Sequence, residues 1–191
     1  MGPNIILAVG AIIIFGTFLS SSNNLMTGNT QIAEQNEYYI TALSLAQSVI
    51  NEAKTQAFDE KVLTNSVSSA DSMTAPGALG KESGESVPNP DTLTTSSPFT
   101  SSSPGFRSSL KFDDIDDYNK YNRLVNTPRA EGYNIKVSVL YASNTYPDSL
   151  KASRTYCKVM KVAVTSKFFP SKRSGGVLVP DTVKLFYAFT Y

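Results

Sequence analysis

The chain contains no histidine, no tryptophan and a single cysteine, Cys157, among its 191 residues. Without an imidazole there can be no Ser/His/Asp or Cys/His catalytic set and no histidine-bound metal, and one thiol makes neither a zinc cluster nor an intrachain disulfide. Charge is scarce as well. Asp, Glu, Lys and Arg make up 17% of the residues, against roughly 25% in ordinary soluble domains, while 41% are hydrophobic. Something other than water is therefore expected to cover part of the surface. The sequence also lacks a Gly-rich phosphate loop, and its carboxylate cluster has no second catalytic carboxylate set apart from it, so the expectation is that the chain is not an enzyme.

What charge there is divides unevenly. Residues 1–117 carry a formal −8 and residues 118–191 a formal +9, which nearly cancel to +1. A basic half can face nucleic acid or another anionic polymer, opposed halves can meet between copies of the chain, or both can simply be solvated.

Residues 3–19, PNIILAVGAIIIFGTFL, hold no charge; the first acidic residue is Glu34 and the first basic one Lys54. Seventeen helical residues rise about 26 Å, at the lower edge of a bilayer span, and Pro3 sits where a first helical turn tolerates it. The side chains expected to drive membrane residence and self-assembly are Ile5, Ile6, Leu7, Val9, Ile12, Ile13, Ile14, Phe15, Phe18 and Leu19. A secretory signal would carry a basic flank, which is missing here, and the positive-inside rule then favours Met1 as the first residue left after removal of a leader.

Ser20 to Asn24 and Gly28 are weak helix formers, and a break is expected near residues 18–29. From Thr30 onward Ile32, Tyr39, Leu43, Ala46, Ile50, Ala53 and Ala57 recur at helical spacing, which predicts an amphipathic helix ending near Phe58. Between residues 64 and 110, 30 of 47 residues are Ser, Thr, Pro, Gly or Asn, too polar to build a core. This stretch reads as an extended excursion, bare or O-glycosylated, that Leu79, Leu93, Phe99 and Phe106 can pin to a neighbouring surface.

Residues 112–119, FDDIDDYN, bring Asp113, Asp114, Asp116, Asp117 and Asn119 within seven positions. They offer hard oxygen ligands for a calcium ion, although the spacing is not that of an EF-hand; the alternatives are a solvated acidic turn or an acidic knob facing basic residues of another subunit. No other cofactor is indicated. Beyond Gly132 the period changes to two, giving strands around Tyr133–Tyr141, Tyr156–Thr165 and Val183–Tyr191 with turn-rich segments between them. Cys157 is expected to pack as a small apolar group.

The fold class expected is α+β: a long N-terminal helix, hydrophobic in its first half, packed against a C-terminal antiparallel sheet of at least three strands. Its segments would be a membrane or filament-core helix (1–24), an amphipathic helix (25–63), the Ser/Thr/Pro-rich loop (64–110) and a β-domain (111–191).

This order, with the run Ile5 to Leu19, the breaker zone Ser20 to Gly28, the helical stretch Tyr38 to Glu60 and the FDDIDDYN segment, resembles the type IV pilins and the pseudopilins of type II secretion. The resemblance implies a precursor cut by a prepilin peptidase, held in the inner membrane, and passed by an assembly platform into an extracellular helical homo-oligomer built on bundled N-terminal helices. The glutamate usual near the start of such subunits is replaced by Ile5 or Leu7, depending on the cleavage site. A major filament subunit, a minor pilin or pseudopilin, and a single-span protein with a basic, DNA-binding or polymer-binding outer domain all stay open at this point.

Overall fold

A computed structural model describes residues 2–87, 109, 111–127, 130, 132–174 and 176–191. Residues 88–108, with most of the Ser/Thr/Pro tracts and with Leu93, Phe99 and Phe106, lie outside the described residues, and so does the expected excursion they would form. The chain divides into two units, Met1–Tyr38 and Tyr39–Tyr191.

Helix α1 runs over Gly2–Ala53 and passes through residues 18–29 without interruption. The expected break is therefore absent from the single chain. Ser and Asn cost roughly 0.7 kcal/mol or less each relative to Ala, and Gly28 about 1 kcal/mol. A helix already nucleated on both sides still gains a backbone hydrogen bond for every residue it continues through. Threonine hydroxyls in and beside this stretch also bond back onto the helix: Thr17, Thr27 and Thr30 donate to the carbonyls of Ile14, Asn23 and Met26, each at 2.9 Å.

In the second unit α1 buries one stripe, formed by Ala42, Ala46, Val49, Ile50 and Ala53. The helix ends at Ala53, earlier than the Phe58 expected from its apolar spacing. The cause is a competing pairing, since Ala57 donates to the carbonyl of Asp113 (2.9 Å) and accepts from the amide of Ile115 (3.0 Å), which draws the chain out of helical geometry. A short helix α2, Glu60–Thr64, follows, its N-cap Asp59 accepting from the amide of Lys61.

Four strands form an antiparallel sheet in the order β1 (Asn122–Val125), β2 (Tyr133–Tyr141), β3 (Cys157–Ser166) and β6 (Thr182–Thr190). In β2 alternate residues from Tyr133 to Tyr141 are buried, and register sets Val137 opposite Val162, Val139 opposite Met160 and Tyr141 opposite Lys158. Strand β1 was not anticipated. Nor was the hairpin of β4 (Ser171–Ser174) and β5 (Val177–Pro180), which occupies the segment read as turn-rich; Gly176 at φ +85° supplies the left-handed residue its turn needs. Tyr39 of α1 stacks at 4.6 Å on Phe169, which follows β3, and Lys54, just past the end of α1, lies over the ring of Tyr187 in β6 at 4.1 Å. Cys157 is buried beside Ala142 and Val159.

Ala42, Ala46 and Ala53 are wholly buried, so the helix sits close over its neighbours. Ala46→Leu should therefore overpack this contact and cost about 1–3 kcal/mol. Denaturant unfolding of the detergent-solubilised chain measures this, and an unchanged midpoint would contradict the packing described.

Candidate functional site

Two features stand out chemically. The first is the apolar surface of the first unit. Ile5, Ile6, Leu7, Val9, Ile12, Ile13, Ile14, Phe15, Phe18 and Leu19 are all exposed, from 46% at Leu19 to 75% at Ile6. Leu25, Met26 and Ile32 extend the exposed apolar set, and the helix is long and apolar enough to cross a membrane. Each such side chain gives up about 1.5–3 kcal/mol of burial while it faces water. Such a surface is chemically suited to lipid tails or to other apolar helices.

The second feature is a buried ion cluster in the second unit. Lys158 is completely buried on the core face of β3, in register with Tyr141 and Phe189. Its Nζ donates to the carbonyl of Phe58 (2.7 Å), to Asp59 Oδ2 (2.9 Å) and to Asp116 Oδ1 (2.6 Å), which uses all three of its protons. The rings of Phe58 and Tyr141 flank it at 4.8 and 5.6 Å. Asp59 also accepts from the amide and hydroxyl of Thr74, and the Tyr141 hydroxyl donates to the carbonyl of Thr74 at 2.7 Å. Burial pushes the Asp59 carboxyl upward, but the hydrogen bond and charge of Lys158 outweigh it, and the group ends below its ordinary value.

The acidic segment expected to ligate calcium does not converge on one point. Asp113 is exposed, whereas Asp114, Asp116 and Asp117 are buried. Asp116 is paired with Lys158. Asn119 is spent on structure, its Nδ2 donating to the carbonyl of Leu79 (2.9 Å) and its Oδ1 accepting from the amide of Val139 (3.1 Å). Asp114 and Asp117 close a reciprocal turn: Asp117 N donates to Asp114 Oδ1 (3.1 Å), and the amides of Asp113 and Asp114 donate to Asp117 Oδ2 (3.0 and 3.3 Å). The carboxylate of Asp117 instead faces Glu82 and Glu85, with one oxygen of each residue within 4.8 Å of the others.

Sequence reasoning missed Lys158, Asp59, Glu82 and Glu85 as parts of this centre. For Lys158 a signal existed, because it shares parity with Met160, Val162 and Val164 and so belongs to the core face of its strand. Asp59 sits just before a short helix, where an acidic cap is favoured. Glu82 and Glu85 are more than thirty residues from Asp117 in sequence, and no local pattern joins them.

Burial, then repulsion from Asp116, pushes Asp114 up to about 9. Burial and the carboxyls of Glu82 and Glu85 push Asp117 up to about 8, against the two backbone amides that favour its charge. A proton on Asp114 lets it donate to Asp116, which accounts for Asp114 Oδ2 and Asp116 Oδ2 having no other protein donor. Compared with known proteins, the chain matches no family model, no curated protein and no solved structure.

A carboxyl with a raised folded-state value stabilises the fold below its unfolded value and loses that contribution as pH rises through the folded one. In metal-free buffer the melting temperature should consequently fall between about pH 5 and 9 as Asp114 and Asp117 ionise. Asp114→Asn keeps the acceptor for Asp117 N and should flatten the fall. Thermal unfolding across this range with EDTA present checks it; a melting temperature that rises with pH would contradict it.

Proposed function

We propose that the chain is a structural subunit of an extracellular, type IV pilus-like helical filament that assembles through its N-terminal helix. The observation that carries this reading is the uncharged, exposed apolar helix surface from Ile5 to Leu19, joined in one chain to a unit with its own core. Before assembly a bilayer covers such a surface, and afterwards equivalent helices of neighbouring subunits do so, with no catalytic chemistry required. The opposed charges of the two halves of the sequence suit a head-to-tail lattice in which unlike surfaces meet. Inner-membrane residence, cleavage by a prepilin peptidase and handling by an assembly platform belong to the same proposal.

The absent glutamate keeps a minor pilin or pseudopilin as the nearest variant, and its scarcity in sheared surface filaments would distinguish it from a major subunit. A different reading, recognition of an anionic polymer, draws on Lys136, Lys161 and Lys184, which share the outward face of neighbouring strands β2, β3 and β6. A steep loss of DNA binding with salt would favour it.

Val9→Asp and Ile13→Lys place a charge in the apolar surface at a cost of about 2.5–3.5 kcal/mol per subunit on insertion scales. Either substitution should abolish filaments seen by negative-stain microscopy while the far-UV spectrum of the detergent-solubilised chain stays that of the wild type. Normal filaments from either variant would sink the reading.

A further inference from the structure

Among the described carboxylates, those of Glu82, Glu85 and Asp117 stand apart because they face one another with no ammonium group bonded between them. Glu85 Oε2 accepts from the amide of Glu82 at 2.6 Å across a turn whose Gly84 has φ +102°, so both glutamates leave the same side of one short loop. Asp117 approaches from the acidic segment. It is completely buried; its Oδ2 is taken by two backbone amides, and its Oδ1 has no protein donor. An unpartnered carboxylate oxygen in the interior costs several kcal/mol unless a proton or a cation meets it. Lys158 is already saturated by Phe58, Asp59 and Asp116, and so cannot serve. The ammonium of Lys111 lies beside Gly84, 3.8 Å from where a Cβ there would stand.

We propose that Glu82, Glu85 and Asp117 bind one calcium ion, which ties the 82–85 loop to the acidic segment. All three donors are hard carboxylate oxygens, and the chain offers neither histidine nor a second cysteine for a softer metal. Oxygens lying within 4.8 Å of one another fit around an ion that binds oxygen at about 2.3–2.6 Å, whose opposite ligands stand about 5 Å apart. Magnesium, at about 2.0–2.1 Å, needs a tighter octahedral set than a loop and a turn supply. Partly exposed Glu85 and exposed Glu82 leave room for water to complete the shell. The site differs from the one expected from spacing alone, sharing with it only Asp117. Its proposal is independent of how the chain assembles.

The test is calorimetric titration of the EDTA-stripped, detergent-solubilised full chain with calcium chloride to about 10 mM, a range that covers weak carboxylate sites with Kd of about 0.1–1 mM. The expected result is one calcium per chain, with a melting temperature that rises with calcium concentration as ligand linkage requires. Glu82→Gln/Glu85→Gln should bind at least about tenfold more weakly, about 1.4 kcal/mol, while melting in EDTA no lower than the wild type. Both glutamates lie outside the core, so this variant folds and the comparison holds. Lys111→Met should leave calcium binding in place. No binding by the wild-type chain, equal binding by the double glutamine variant, or equal affinity for magnesium would each overturn the calcium assignment.

Discussion

The fold of the second unit turns on a single ammonium group. Lys158 sits where the pleat of β3 demands an apolar side chain, and burying a charge there costs several kcal/mol unless it is fully paired. The surroundings meet that demand with one carbonyl and two carboxylates drawn from Phe58, Asp59 and Asp116. These partners are about one hundred and about forty residues away in sequence. They fix where the chain goes after α1, how the acidic segment turns, and how both lie against the sheet. Early termination of the helix belongs to the same constraint: the Ala57 pairing with Asp113 and Ile115 sets Phe58 and Asp59 beside Lys158.

Concentrating carboxylates around one lysine has an electrostatic consequence. Asp59 and Asp116 are enough to neutralise Lys158, and Asp114 and Asp117 then lie buried next to charges of their own sign. Asp114 answers with a proton shared toward Asp116, while Asp117 looks outward to Glu82 and Glu85. A divalent cation is the natural complement at the outer edge of such a set. The acidic segment is thus a junction of the fold, with a structural side facing Lys158 and an open side facing the 82–85 loop.

Much of this architecture is readable in the sequence because period two survives in the apolar residues of β2, β3 and β6, and in β2 every second residue is buried. The uncharged start of α1 is equally legible. Two misreadings have clear physical origins. Propensity alone placed a break at Ser20 to Gly28, but helix propagation is cooperative and the threonine hydroxyls return to the helical carbonyls. The second is Lys158, which escapes assignment to the core although its parity matches Met160 and Val162, because a charged side chain is seldom buried unless it is paired. The rest of the centre is legible only in part: Asp117 belongs to the acidic segment expected to ligate, but Glu82 and Glu85 reach it, and Asp59 reaches Lys158, only through long-range pairing. The β4–β5 hairpin is a milder case: two short runs around a glycine pair look like punctuation until they are seen to pair.

The role given to Lys158 is tested most directly by a double-mutant cycle of Lys158→Met, Asp116→Asn and the combined variant, measured by reversible denaturant unfolding. If the ammonium and carboxylate depend on each other, the combined variant should be more stable than Lys158→Met alone, with a coupling of about 1–3 kcal/mol. Removal of the lysine by itself strands two buried carboxylates and should cost about 3–5 kcal/mol. Additive effects within about 0.5 kcal/mol, or a Lys158→Met variant as stable as the wild type, would contradict the account.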